Sequence, residues 1–160
     1  MGHLGFSYIG LCHLLLLFIP NLLWAKNQPT GYDGSNEPKA LVVCERFGQA
    51  ACTCCALVFT DFNLAPFSGW RNVWLVLSLL LMALYEGFWL RYFSHPSLQN
   101  FYRPFCLCPA PGAVLPVAAF FLLGLYGRVI WMCISACILG IGHIGIHLFH
   151  IRRLRHAGVL

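Results

Sequence analysis

Val129 to Phe149 reads VIWMCISACILGIGHIGIHLF, with no Lys, Arg, Asp or Glu, and Arg152, Arg153 and Arg155 follow it at once. About 20 apolar residues make about 30 Å of helix, the thickness of a bilayer's hydrocarbon. The stretch therefore predicts a transmembrane helix with a basic end. Histidines interrupt its apolar character. His143, His147 and His150 are spaced by four and then three residues. That spacing puts their rings on one side of a helix. An imidazole inside a membrane is costly unless it faces protein, water or a ligand. The segment that assigns the chain to the membrane thus also marks where polar chemistry gathers.

The rest of the chain has the same character. Of its 160 residues 59% are hydrophobic and 9% charged, against about 25% charged in a soluble domain. Five apolar runs predict five spans: Leu4–Trp24, Ala40–Thr60, Val73–Phe93, Cys106–Tyr126 and Val129–Phe149. The expected fold is all-α, a polytopic transmembrane helical bundle forming one integral-membrane domain over residues 1–160. Pro109, Pro111 and Pro116 predict a late start or a kink in the fourth span. Gly127-Arg128 alone joins the fourth and fifth spans, which predicts an antiparallel hairpin. The first span is expected to be retained. No Lys or Arg precedes it, and Leu23-Trp24-Ala25 is a poor cleavage site.

The basic residues set the expected orientation. With the tail cytoplasmic, the inner side carries Lys26, Lys39, Arg46, Arg91, Arg103, Arg152, Arg153 and Arg155, and the outer side Arg71 and Arg128. That bias predicts a multi-pass cell-membrane protein with its N-terminus outside and its C-terminus cytoplasmic. Trp24, Trp70, Trp74, Trp89 and Trp131 fall near predicted span ends, as an interfacial belt requires. The 26–39 connection, polar and rich in turn formers, reads as a cytoplasmic loop. The 94–105 connection mixes aromatic and polar residues and is expected to lie at the interface. The net charge of +5 is explained by topology, so the lipid bilayer is the expected partner and nucleic acid is not. A second copy or another membrane protein remains open as a partner.

Most of the nine cysteines fall inside apolar runs, where Cys acts as a small hydrophobe. Cys106 and Cys108 form a C-x-C pair, a weak metal signal. No nucleophile stands beside an evident base, and no Gly-rich phosphate loop is present, so enzymatic activity is left open.

In this register Glu45, Arg46, Gln49, Glu86, His143 and His147 lie within roughly 3 to 13 Å of the inner hydrocarbon edge. Asn21 is near that edge too, whereas His150, one turn nearer the tail, is expected to reach headgroups. These six are the candidate ligand-binding residues. Glu86 is the acid expected to pair with Arg46. Gly140, Gly142 and Gly145 would let helices approach around the histidines. Two imidazoles at i and i+4 suit one metal ion, so His143 and His147 are candidate metal ligands, with Glu45 or Glu86 as a third. No cofactor is specified beyond that possibility. A bis-histidine haem would have only His13 and His143 to draw on. The lone His-x-x-x-His-x-x-His run lacks the further boxes of a desaturase. Three function classes stay open: a site for a metal or small polar ligand, a structural or accessory membrane subunit locked by polar contacts, and a small proton-linked transporter.

Several segments carry a resemblance: GFSYIG at 5–10, FIPNL at 18–22, ERFGQ at 45–49, YEGFWLRY at 85–92 and GHIGIH at 142–147. Together they resemble a family of small, uncharacterised polytopic bacterial membrane proteins. The resemblance implies a bacterial cell membrane. It brings no reaction and no assigned site.

Overall fold

The computed structural model describes residues 2–65 and 69–160. Its helices are α1 (Tyr8–Lys26), α2 (Lys39–Val58), α3 (Trp70–Ser94), α4 (Leu98–Tyr102), α5 (Pro111–Gly127) and α6 (Ile130–His156), with a 3-10 turn at Thr60–Phe62. The protein is an all-α bundle. Four helices, α1, α2, α3 and α6, are long and apolar enough to cross a membrane. α5 is the exception, with 17 residues, or about 25 Å.

Two expected boundaries are corrected. The fourth span does not begin at Cys106. Phe105 and Cys108 exchange backbone hydrogen bonds at 3.1 and 2.9 Å, with Cys106 and Leu107 both at positive φ. This tight reversal is incompatible with a helix. The helix starts only at Pro111, whose missing N–H costs nothing in a first turn. The first span does not begin at Leu4 either. Gly5 N–H donates to the Val58 carbonyl at 2.9 Å and Ser7 N–H to Leu57 at 3.1 Å. The chain from 3 to 7 is thus extended beside the end of α2, and Ser7 caps α1 by accepting from the Gly10 N–H at 2.9 Å.

The helices alternate in direction. α2 packs on α6, α6 on α5 and α5 on α3, while α1 touches both α2 and α3. Glycine allows the close contact of α2 with α6. A Cβ at Gly142 would lie 2.6 Å from Glu45 Cα, and one at Gly48 would lie 2.5 Å from Leu139 Cα. α2 and α6 therefore meet backbone to backbone, as small residues permit in membranes. Arg128, in the left-handed region at φ 54°, closes the α5–α6 hairpin with its N–H on Leu125. Leu15, Ile19, Val76, Leu80, Ile134 and Ile141 face outward.

The two ends differ. One carries Arg71, whose guanidinium donates to the Tyr126 and Asp61 carbonyls, and the hairpin residue Arg128. The other end carries Lys26, Lys39 and the Arg152–Arg155 tail, with Arg91, Arg103 and Arg155 beside α4. The tryptophans follow this asymmetry. Trp70, Trp74 and Trp131 are exposed, but Trp24 stacks on Phe101 at 5.2 Å and Trp89 is buried. At the basic end, then, the expected belt is replaced by an aromatic core of Tyr85, Phe88, Trp89, Tyr92, Phe101 and Tyr102.

Candidate functional site

That aromatic core floors a cavity of about 700 Å³ at the basic end. Its polar wall is the histidine face of α6. His143, His147 and His150 all line it, as do Glu45, Arg46 and Gln49 from α2 and Asn21 from α1. The i, i+4, i+7 spacing places the rings in a ladder, with His143 and His147 centroids 4.9 Å apart.

The three imidazoles differ in their partners. The Glu45 carboxylate accepts from His143 Nδ1–H at 2.5 Å, and His143 Nε2 has no partner among the described residues. His150 Nε2–H donates to Glu37 Oε1 at 2.8 Å, leaving Nδ1. His147, between them, has no hydrogen-bond partner among the described residues. It is held only by ring contacts to His143, Phe101 at 5.7 Å and Tyr102 at 5.9 Å.

Two segments that sequence reasoning passed over complete the site. The 27–38 loop folds back onto α6. There Glu37 pairs with His150, Tyr32 lies 5.6 Å from the His150 ring, and Asp33 Oδ2 accepts from Arg153 Nη2 at 2.9 Å. α4 brings Phe101 and Tyr102 under His147 and His150. Burial, then the charges of Glu37 and Glu45, push the Tyr32 phenol up to about 12. Burial also raises the Tyr102 phenol, with Tyr32 and Glu37 adding to it. Both hydroxyls are neutral donors at ordinary pH. The available signal was charge complementarity: Asp33, Glu37 and Glu45 fall close together in a chain of five acids, opposite a tail of His and Arg.

Three expectations are corrected. Glu86 does not line the cavity, and no Arg46–Glu86 ion pair forms. The cause is helix order, since α1 lies against both α2 and α3. Tyr85 of α3 takes the inward position and accepts from Asn21 Nδ2 at 2.6 Å. Glu86 is one residue on, about 100° around the helix, and its Oε1 is buried without a partner. Arg46 is exposed at the cavity wall. His150 does not reach headgroups; it is 5% exposed and paired.

The remaining polar groups of the spans are occupied elsewhere. His13 Nδ1–H donates to the Ile9 carbonyl at 3.0 Å, and its Nε2 lies 2.9 Å from Ser78 Oγ. No haem pairing with His143 is available to it. All nine cysteines are free thiols. No group of three or more His, Cys, Asp or Glu among the described residues is placed to hold a metal ion. The metal reading therefore has two imidazoles in edge-to-face contact and no third ligand in position among the described residues.

A narrow apolar crevice adjoins the cavity. Asn21, Glu45, Gln49 and His143 border both, and the crevice continues between Leu17, Pro116, Val117, Phe120 and Leu139. The site is thus polar at the bundle end and apolar toward the middle. Comparison of the chain with family models, curated proteins and solved structures finds no match.

Proposed function

We propose that the protein is an integral-membrane binding protein whose histidine cavity receives a small polar ligand. The observation that carries this reading is the inequality of the three histidines. Two are fixed by carboxylates, and the one between them lines a cavity of about 700 Å³ with no hydrogen-bond partner among the described residues. An imidazole left unpaired is costly in a membrane unless water or a ligand meets it. The fixed rings each leave one nitrogen free, while Tyr32 and Tyr102 supply neutral hydroxyls. The occupant that suits this wall carries several hydrogen-bonding atoms of both kinds. Arg46 adds a positive charge at the wall.

The structural-subunit reading draws on the interhelical polar contacts outside the cavity. There Ser78 Oγ is buried between His13 Nε2 at 2.9 Å and the Ala119 carbonyl, to which it donates at 2.7 Å. Proton-linked transport is disfavoured by the apolar lining beyond the cavity. The crevice beyond His143 is lined by Leu17, Val117, Phe120 and Leu139.

We place the basic end on the cytoplasmic side of a cell membrane, because eight of the ten Lys and Arg residues belong to it. Reporter fusions after Leu160 and within 27–38 should both read cytoplasmic; a periplasmic signal from either reverses the assignment. The binding reading is tested on protein extracted into nanodiscs without detergent washing. Mass spectrometry of released small molecules should find one polar compound at near-stoichiometric amount, and elemental analysis should find no stoichiometric metal. A stoichiometric metal would favour the His143–His147 metal reading instead. Protein with neither would leave the lock reading.

A further inference from the structure

The chain has five acidic residues. Asp33 is engaged by Arg153, Glu37 by His150, Glu45 by His143 and Asp61 by His3. Only Glu86 is left, on α3. The guanidinium groups at the basic end therefore have almost no acid in the protein to answer them. They are also not spread evenly over that end.

A second cavity, of about 670 Å³, lies between the end of α3, α4 and the last turns of α6. Arg91, Arg103, Arg155 and His95 line it with no Asp or Glu; Leu160 lines it too, and its terminal carboxylate makes no ion pair with them. Arg91 is spent on structure. Its Nη1 donates to the Pro104 carbonyl at 3.0 Å and its Nη2 to the Asn100 and Arg103 carbonyls, each at 3.0 Å. Those bonds fix the backbone that carries Arg103. Arg103 and Arg155 are different: both are exposed, and neither has an ion-pair partner. Two free guanidinium forks, one on a segment anchored by Arg91 and one on α6, thus face a shared concavity.

We propose that this cavity binds a phosphate monoester through Arg103 and Arg155, independently of the histidine site. A guanidinium matches phosphate oxygens with two parallel N–H donors, which an ammonium cannot do. A monoester carries a charge near −2 at neutral pH, which balances both forks; a carboxylate answers only one. The place at the end of the spans admits two sources, a phosphate-headed lipid or a soluble phosphate ester.

The full chain in phosphatidylcholine nanodiscs tests this. One arm adds phosphatidic acid to the discs and counts retained lipid by native mass spectrometry. The other titrates inorganic phosphate over discs without anionic lipid. Saturable binding is expected in at least one arm, and that arm identifies the source. The double variant Arg103→Lys with Arg155→Lys keeps the charge and loses the forks, and should bind about tenfold more weakly. The double variant to Gln should lose binding altogether, while six basic residues still hold that end's orientation. If the Gln variant does not fold, the Lys variant carries the test. No saturable binding in either arm overturns the proposal. So does phosphatidylserine held as tightly as phosphatidic acid with the Lys variant equal to the parent, because charge alone would then explain the retention.

Discussion

Glu45 and His143 come within 2.5 Å across 98 positions of sequence, and they do so because Gly142 lies flat against the Glu45 backbone. The pair ties α2 to α6 at the mouth of the crevice. Interhelical hydrogen bonds in membranes contribute about 0.6 and at most about 1.7 kcal/mol. A double-mutant cycle with Glu45→Ala and His143→Ala should return a coupling in that range, read from unfolding in detergent. Strict additivity of the two losses would mean the contact does not hold the helices.

Gly142 tests the close approach itself. Valine there would drive its side chain into Glu45 N and Cα and the Leu41 carbonyl. Because these atoms are backbone, the helices must separate, at a cost of about 1 to 3 kcal/mol. Gly158 has nothing near its Cβ direction, but its φ of +68° penalises any side chain. Gly87, whose nearest neighbour is the Phe105 ring at 3.5 Å, is the better control. Gly87→Ala should leave the melting temperature nearly unchanged, while Gly142→Val lowers it by several degrees. Equal effects would contradict the glycine contact.

Glu86 should behave opposite to Glu45. One of its oxygens is buried without a partner, and a buried group left unpaired is a cost rather than a contribution. Glu86→Gln is expected to be neutral or mildly stabilising. A loss above about 1 kcal/mol would point to a partner that the present arrangement of α3 does not provide.

The 27–38 loop carries a pH dependence of definite sign. Hydrogen bonds from Ser35, then from Arg153, hold the Asp33 carboxyl down at about 2, against an ordinary 3.8. The folded state thus binds this proton less tightly than the unfolded chain. The Asp33–Arg153 tie is fully present above about pH 4 and is lost as the pH falls toward 2. Amide exchange in residues 31–36 should rise over that window, and Asp33→Asn should show the raised exchange already at neutral pH. An unchanged profile in the Asn variant would show that the loop is held by Glu37 and Tyr32 alone.

The fold was largely legible because its signals are local. Apolar run length marked the helices, and Gly127-Arg128 marked the hairpin. The misplaced starts at Leu4 and Cys106 came from reading apolar content without backbone shape. Leu107 is hydrophobic yet fully exposed in a left-handed turn. Half of the site was legible as well. Glu45, Arg46, Gln49, His143 and His147 share a depth, and depth follows from register. Glu86 shares that depth too but sits on the wrong helix, and helix order around a bundle leaves no periodic trace in the sequence. Glu37, Tyr32 and Tyr102 come from a loop and a five-residue helix, where no periodicity forecasts which side chains turn inward.

His147 separates a binding site from a lock. Its ring packs against Phe101, Tyr102 and His143 without any hydrogen bond, so His147→Phe keeps the packing and removes only the nitrogens. The decisive measurement compares parent and His147→Phe protein in native nanodiscs for melting temperature and for bound small molecule. The account predicts an unchanged melting temperature, within about 0.5 kcal/mol of stability, together with loss of a polar compound that the parent retains. It is contradicted if the Phe variant keeps the same compound, or if the parent holds none and the variant unfolds.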